Sequence, residues 1–166
     1  MGGKKFSEKL KFIILIFTKK VMKFKEIESS DIREIANMYV DTFNSPPWND
    51  KWTVDIASKR LSQMMNCEGA YGIVAYEDKK ICGMILGCEE EFYTGIVFNV
   101  KEFCINNKIR GKGFGTRILE EFQERLKSKG ISEIILLTLR GNSTEGFYQK
   151  KGFVNYDKMI VMGKQL

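Results

Sequence analysis

The residues best suited to chemistry form a short glycine-rich stretch, RGKGFG, at residues 110–115. Glycines let a bulky anion approach the backbone and permit unusual dihedral angles. An amphipathic run follows at once, and a helix N-terminus offers unpaired N–H groups and a partial positive charge. The stretch therefore predicts a phosphate-binding loop. A glycine-rich turn without a ligand is the alternative, because short glycine motifs often match by chance.

Two other phosphate-binding motifs fit the stretch poorly. A P-loop requires GxxxxGK[ST], which this sequence lacks. A dinucleotide-binding fingerprint requires GxGxxG and an acidic residue at the end of the next strand. Here the spacing is GxGxG, and the next predicted strand ends in Leu139 and Arg140. A nucleotide-binding module is therefore a weaker hypothesis.

The absence of histidine narrows the chemistry further. It excludes Ser-His-Asp and Cys-His nucleophiles and disfavours a zinc site, so no metal is expected. A general base must be a carboxylate, a lysine, a tyrosine or water. The four cysteines form no CxxC pair and lie among apolar residues, which is typical of reduced core cysteines in a cytoplasmic protein.

The positive charge is concentrated at the N-terminus. Residues 1–21 carry six lysines against one glutamate, or +5, which leaves +1 of the net +6 for residues 22–166. A basic face for nucleic acid is therefore not expected. The apolar run FIILIF at residues 12–17 is too short to span a membrane. We predict a basic N-terminal extension at 1–21 and one domain at 22–166.

Period-2 and period-3.6 patterns give the elements that must position the loop. The predicted order is β-α-α-β-β-β-α-β-α-β, with about four helices and six to seven strands in a single α/β domain. The glycine stretch lies between the longest strand candidate, residues 96–105, and a helix. The preceding residues CEEEFYTG at 88–95 are predicted to form a loop.

Two motifs resemble the GCN5-related N-acetyltransferase (GNAT) superfamily. RGKGFG matches its R/Q-x-x-G-x-G/A signature at Arg110, Gly113 and Gly115, and FYQKKGF at 147–153 is similar to its second marker. The resemblance implies a mixed, mostly antiparallel sheet that splays open after the fourth strand, with acetyl-CoA in the gap. It implies backbone contacts to the pyrophosphate from Arg110, Gly111, Lys112, Gly113, Phe114, Gly115 and Thr116.

The resemblance also implies that the pantetheine arm pairs with the backbone at Phe103, Cys104 and Ile105. Many members carry an asparagine seven residues before the motif tyrosine, where it contacts the cofactor. Here Asn142 lies six residues before Tyr148, so its cofactor contact is an open assignment.

The implied reaction is N-acetylation, and two residues are candidates for proton transfer. Tyr148 matches the family tyrosine that protonates the departing thiolate. Glu102 is a lone carboxylate in an apolar strand, where the family often carries a glutamate, and partial burial would make it a better base. The glutamates at 89–91 are rival bases. An acyl-enzyme on Cys104 is disfavoured because no histidine could activate the thiol.

The predicted acceptor is a small molecule with a primary amine and further positive charge. Aromatic and acidic side chains suit a cationic amine, and the candidates are Trp48, Trp52, Glu89, Glu90 and Glu91. This combination is similar to the aminoglycoside acetyltransferase-like branch of the family. The alternatives are a non-catalytic CoA-binding sensor and an enzyme acting on a protein amine. A homodimer stays open.

Overall fold

The computed structural model describes residues 21–166, so the predicted extension at 1–21 lies outside the described residues except for Val21. Two 3-10 turns, Ser29–Asp31 and Asn107–Ile109, precede helices. The strands and helices are β1 (Lys23–Glu26), α1 (Ile32–Phe43), α2 (Val54–Met65), β2 (Ala70–Glu77), β3 (Lys80–Phe92), β4 (Gly95–Ile105), α3 (Phe114–Ser128), β5 (Glu133–Leu136) and α4 (Glu145–Gln149).

The strands form one sheet in the order β1-β2-β3-β4-β5. β1 pairs antiparallel with β2, β2 with β3, and β3 with β4. The predicted hairpin between β2 and β3 is confirmed, and Asp78 and Lys79 turn the chain with φ of 50° and 63°. The connection from β4 to β5 runs through α3, so the glycine stretch lies at the carboxyl end of β4.

An irregularity between β3 and β4 determines which side chains share a face of β4. Leu86 pairs with Glu102, but the next residue, Gly87, pairs with Val100, so Lys101 is an extra residue in β4. A side chain at Gly87 would collide with the Asn99 carbonyl, and only glycine allows this close approach. The bulge changes the alternation along β4 just before Glu102.

Helices α1, α2 and α3 pack on the two faces of the sheet. On one face, α1 and α2 bury Ile35, Ala36 and Leu61 against strand residues that include Met84 and Leu86. On the other face, α3 packs Phe122 against Phe98, with ring centroids 5.3 Å apart. The buried residues of α3 recur at helical spacing: Phe114, Ile118, Leu119, Phe122 and Leu126. This packing fixes the start of α3 next to the end of β4.

The described residues divide into two compact units between Ile135 and Leu136. In the second unit, α4 is followed by irregular chain up to residue 166. The α/β fold with four helices is confirmed. The expected six or seven strands are not, because the structure assigns five strands within residues 21–166. A turn in which the Met159 N–H donates to the Tyr156 carbonyl interrupts the segment that was expected to form the last strand.

None of the helices within residues 21–166 is both long and apolar enough to cross a lipid bilayer.

Candidate active site

The glycine loop adopts a conformation that only glycine favours. Gly111 and Gly113 have φ of 77° and 79°, in the left-handed region. A Cβ added at either residue would meet no heavy atom within 4 Å. These glycines therefore face open space rather than a packed interior, so packing against the protein does not explain why a side chain is missing there. A bound phosphate would occupy the volume that a side chain would fill.

The start of α3 is suited to an anion. Gly113 is the N-cap and brings no side-chain cap, and the first turn carries no acidic residue. The first N–H groups of a helix have no intrahelical acceptor, and the helix dipole favours negative charge at this end. Phe114 is buried and anchors the first turn of the helix. The residues present therefore fit the pyrophosphate of acetyl-CoA.

The end of β4 extends beyond the part that β5 can cover. β5 has four residues, whereas β4 has 11. The N–H and hydroxyl of Ser132, just before β5, both donate to the Ile96 carbonyl near the start of β4. β5 is therefore too short to pair with the whole of β4. Phe103, Cys104 and Ile105 lie at the far end of β4 and lead through the 3-10 turn into the glycine loop.

Glu102 is buried in β4 and held by an arginine that the sequence analysis did not identify. Nε and Nη2 of Arg60 donate to Oε1 of Glu102 at 2.9 and 2.6 Å. Burial raises the pKa of Glu102, and the opposing effects of Arg60 and of the Tyr39 hydroxyl do not cancel that rise. A carboxylate with a raised pKa is suited to general-base catalysis near neutral pH.

Four aromatic side chains, Tyr39, Phe43, Trp48 and Trp52, form a continuous row on α1 and the loop after it. We call them the aromatic row. Ring centroids are 4.4 Å apart for Tyr39 and Phe43, 5.1 Å for Phe43 and Trp48, and 5.4 Å for Tyr39 and Trp52. Trp52 and Phe43 also pack against the core. The row therefore connects the two predicted acceptor tryptophans through the protein interior.

Two arginines lie at the ends of the aromatic row. The Arg110 guanidinium carbon is 4.8 Å from the Trp48 ring centroid, and that of Arg60 is 5.8 Å from the Trp52 ring centroid. The structure thus joins Trp52 to Glu102 through Arg60, and Trp48 to the glycine loop through Arg110. The cation that each indole face meets in the structure is one of the protein's own guanidinium groups.

The prediction that Glu89, Glu90 and Glu91 lie in a loop is wrong. They belong to β3 and pair with Phe98, Val97 and Ile96 of β4. Each glutamate lies opposite an apolar residue of the partner strand, so pairing continues up to the turn after Phe92. Glu90 accepts a hydrogen bond of 3.2 Å from Asn99 and lies 3.9 Å from Nζ of Lys101. Three consecutive charges suggested a loop, although strand residues near a hairpin turn can be exposed.

Cys104 is buried, and its thiol lies 3.7 Å from the Met38 sulfur. Burial raises the pKa of the Cys104 thiol, so the reactive thiolate is strongly disfavoured. This agrees with the expectation that Cys104 does not form an acyl-enzyme. Within residues 21–166, no group of three cysteine or carboxylate side chains is placed to hold a metal ion.

The second unit holds Tyr148 and Asn142. Tyr148 lies on α4, and its ring packs edge-on against Phe147 and Phe153, at centroid distances of 5.2 and 5.4 Å. Gly152 has φ of 87°, and the Phe153 N–H donates to the Tyr148 carbonyl, which closes the helix as the motif predicts. Asn142 precedes α4 and is exposed. The motif thus holds Tyr148 between two aromatic rings.

Sequence reasoning missed three residues that organise the site: Arg60 and Tyr39, which interact with Glu102, and Asn107, whose Nδ2 donates to the Asp41 carbonyl of α1. Arg60 precedes the buried Leu61 on α2, and Tyr39 lies on the buried face of α1. A buried glutamate requires a cationic or hydrogen-bonding partner, so the prediction of a half-buried Glu102 implied that such a partner exists. Which of the 27 arginines and lysines supplies it could not be read from spacing.

A comparison with protein families identifies the fold. The acetyltransferase (GNAT) domain family matches residues 29–163. The chain belongs to this GNAT family. The match includes both the glycine loop and α4, and it confirms the resemblance seen in the two motifs.

Individual relatives of this GNAT chain are distant. An uncharacterised N-acetyltransferase of Chlorobaculum tepidum is 27% identical over 46% of this chain and 47% of its own length. N-alpha-acetyltransferase 30 of Schizosaccharomyces pombe is 24% identical over 54% of this chain and 61% of its own length. The chain thus spans about half to three-fifths of the length of these curated relatives.

A solved structure with the same fold contains the expected cosubstrate. A predicted acetyltransferase of Clostridium acetobutylicum, crystallised with acetyl-CoA, aligns with a TM-score of 0.66 and 17% identity. The alignment covers 86% of this chain and 96% of that protein. At this identity the similarity establishes the fold.

Proposed function

We propose that the protein is an acetyl-CoA-dependent N-acetyltransferase that moves an acetyl group to a primary amine of a small acceptor. The observation that carries this proposal is the open glycine loop at the N-terminus of α3, directly after β4 with its buried Glu102. The loop suits the pyrophosphate, and the strand before it suits the pantetheine arm. Membership of the GNAT family supports the same conclusion.

Acetyl-CoA is held mainly by backbone groups. N–H groups of residues 110–116 bind the pyrophosphate, and the backbone at 103–105 pairs with the pantetheine arm. The limited length of β5 supports this second contact, because β5 cannot cover the carboxyl end of β4. Asn142 is a further cofactor contact in this proposal, although its spacing from Tyr148 departs from the family pattern.

The reaction is direct attack in a ternary complex. An alkyl amine is mostly protonated at neutral pH, so Glu102 takes its proton, with a water molecule as relay. The amine nitrogen then forms a bond to the thioester carbonyl carbon, and a backbone N–H near Cys104 or Ile105 stabilises the oxyanion. The nitrogen, which is positively charged after attack, loses a second proton to water. The carbon–sulfur bond breaks, the Tyr148 hydroxyl donates a proton to the thiolate, and Tyr148 then regains a proton from solvent. The products are an amide and CoA.

The proposed acceptor carries positive charge besides its amine, as in an aminoglycoside or a polyamine. The aromatic row offers limited support, because Arg110 and Arg60 already lie over Trp48 and Trp52. The proposed preference for a cationic acceptor therefore rests on Glu89–Glu91. Of these, Glu89 and Glu91 are exposed on β3. The similarity to N-alpha-acetyltransferase 30 of Schizosaccharomyces pombe favours a second candidate, acetylation of an α-amine such as the N-terminus of a protein.

A panel of amines tests the proposal, with released CoA thiol as the readout. The panel should include polyamines, aminoglycosides, neutral amines and short peptides with free N-termini. Turnover of a small cationic amine supports the proposal, and preferred turnover of a peptide favours the second candidate. Binding of acetyl-CoA by calorimetry, without turnover of any amine, would indicate a CoA-binding sensor instead.

The remaining parts of the proposal concern the domain boundary, the cellular location and the oligomeric state. Residues 22–166 carry the activity, and residues 1–21 contribute none of the site chemistry. The four cysteines form no disulfide in the structure, which is consistent with the proposed cytoplasmic location. A homodimer is compatible with the proposal, and size-exclusion chromatography with light scattering would measure it.

A further inference from the structure

We propose that the side chain of Arg110 is a positioning group that couples acetyl-CoA binding to the loop at residues 44–50. This inference rests on the proposed function for the cofactor site at the Arg110 backbone, and it places the acceptor beside the loop at residues 44–50. The new element is the role of the guanidinium group: it holds the acceptor side of the site and does not bind the cofactor.

The guanidinium group of Arg110 contacts α1 and the loop that follows it. Nη1 donates to the Pro46 carbonyl at 3.3 Å, and Nη2 donates to the Thr42 carbonyl at 3.5 Å. The guanidinium carbon lies over the Trp48 ring, 4.8 Å from its centroid. Arg110 is half-buried. These three contacts fix the orientation of the side chain, and together they use the planar, forked geometry that distinguishes arginine from lysine.

Neighbouring residues extend the same connection. Nδ2 of Asn107 donates to the Asp41 carbonyl at 2.9 Å and to the Ser45 hydroxyl at 3.0 Å. The Thr42 hydroxyl donates to the Ile105 carbonyl at 3.4 Å. Asp41 and Thr42 lie in the last turn of α1, where carbonyls have no intrahelical partner and a positive charge is favourable. The segment that leads into the glycine loop thus caps the C-terminus of α1.

This arrangement gives Arg110 contacts on two sides. Its backbone begins the loop that binds the pyrophosphate, and its side chain hydrogen-bonds to the end of α1 and to the segment that contains Trp48. When acetyl-CoA orders the glycine loop, the segment at 44–50 is ordered with it. Binding of acetyl-CoA therefore raises the affinity for the acceptor, and by linkage the acceptor raises the affinity for acetyl-CoA by the same factor.

The competing explanation is that the Arg110 guanidinium binds a phosphate of the cofactor. The two explanations make opposite predictions for Arg110→Lys, which keeps the charge but loses the fork and the stacking. A phosphate-binding role is largely preserved by lysine. A positioning role is lost, because one ammonium group cannot reproduce the two carbonyl contacts together with the contact to Trp48.

The experiment compares the wild type with Arg110→Lys, Arg110→Ala and the control Arg33→Ala. Arg33 lies on α1, the helix that the Arg110 side chain contacts, and forms an exposed ion pair of 3.4 Å with Asp55. Four quantities are measured: the Kd of acetyl-CoA by calorimetry, KM and kcat for the best amine at saturating acetyl-CoA, and amide hydrogen exchange of a peptide covering residues 44–50 with and without acetyl-CoA.

We expect acetyl-CoA to slow exchange at 44–50 in the wild type and in Arg33→Ala, and to have no such effect in either Arg110 variant. We also expect both Arg110 variants to keep the Kd of acetyl-CoA within about threefold, while KM for the amine rises on the order of tenfold, within the usual range of coupling between sites. A Kd at least about tenfold weaker in Arg110→Ala but near wild type in Arg110→Lys, with unchanged KM, overturns the inference. So does exchange that responds to acetyl-CoA equally in all four proteins.

The exchange measurement separates this inference from the proposed function. If no amine is acetylated but acetyl-CoA still slows exchange at 44–50 through Arg110, the catalytic proposal fails and the coupling stands. If amines are acetylated and exchange is independent of Arg110, the coupling fails and the catalytic proposal stands.

Discussion

Substituting one glycine at each end of α3 tests directly whether the glycine loop holds a phosphate. Gly113 precedes the helix and Gly130 follows it. Their φ values are 79° and 83°, and a Cβ at either residue would meet nothing within 4 Å. Alanine at either position therefore introduces the same backbone strain and no clash. The two variants differ in the end of α3 at which the alanine lies: Gly113→Ala is at the N-terminus, where an anion is favoured, and Gly130→Ala is at the C-terminus.

The similar backbone geometry at Gly113 and Gly130 gives the expected changes in stability and in cofactor affinity. Holding alanine in the left-handed region costs about 1–2 kcal/mol, so both variants should lose roughly 2–8 °C in Tm for a chain of this size. In Gly113→Ala the methyl group also enters the space assigned to the pyrophosphate. Loss of one charge-assisted hydrogen bond costs about 1.5–3 kcal/mol, so the Kd of acetyl-CoA should rise about 10- to 150-fold.

Calorimetry with acetyl-CoA and thermal unfolding provide the two readouts. Gly113→Ala should lose both affinity and stability, and Gly130→Ala should lose stability alone. Gly115 lies inside the first turn of α3 and is not in the left-handed region, so Gly115→Ala should weaken binding without the loss of Tm that left-handed strain causes. If Gly113→Ala binds acetyl-CoA as tightly as the wild type, the loop does not bind the pyrophosphate. The same conclusion follows if Gly130→Ala loses as much affinity for acetyl-CoA as Gly113→Ala does.

Four further predictions concern the chemistry and the boundaries. Tyr148→Phe should lower kcat about 10²-fold with little change in the Kd of acetyl-CoA, as expected for loss of a general acid; wild-type turnover would show that water protonates the thiolate. The wild-type kcat/KM should rise with pH as Glu102 ionises, at a pH above the ordinary glutamic acid pKa because burial raises this one, and Glu102→Gln should remove that rise; a rise that persists places the base elsewhere. Replacing Glu89–Glu91 by glutamine should raise KM for a polycationic amine and reduce its salt dependence, and no change would leave the acceptor class open. A protein that starts at Met22 should keep wild-type kcat, and lost activity would show that the extension takes part.

The fold was largely predictable because local patterns and the two motifs agree. The glycine loop, the hairpin at Asp78 and the closure of α4 at Gly152 each follow from residue types with strong backbone preferences. The last strand could not be predicted correctly from the run MIVM at 159–162. An apolar run indicates strand propensity, but pairing requires a neighbouring edge, and sequence spacing does not provide that information.

The candidate site was predictable in its backbone and less so in its side chains. Phosphate binding depends on glycines and a helix start, which are local in sequence. The contacts of Glu102 and Arg110 join residues 42 and 64 positions apart, at Arg60 and Pro46. Such contacts depend on how α1 and α2 pack on the sheet, and many lysines and arginines would satisfy the same sequence pattern.

The two arginines also change how the acceptor side of the site should be understood. Each lies over a tryptophan that sequence reasoning assigned to a cationic acceptor. A second cation on the same indole face would be repelled by the guanidinium group already present. A cationic amine is therefore better attracted by the glutamates of β3, whereas the tryptophans orient Arg60 and Arg110. In this arrangement Trp52 stabilises the arginine that holds Glu102, and Trp48 stabilises the arginine that connects to the glycine loop. In the proposed function, the aromatic row therefore acts through Arg60 on Glu102, the proposed proton acceptor, and through Arg110 on the loop that is proposed to hold the cofactor.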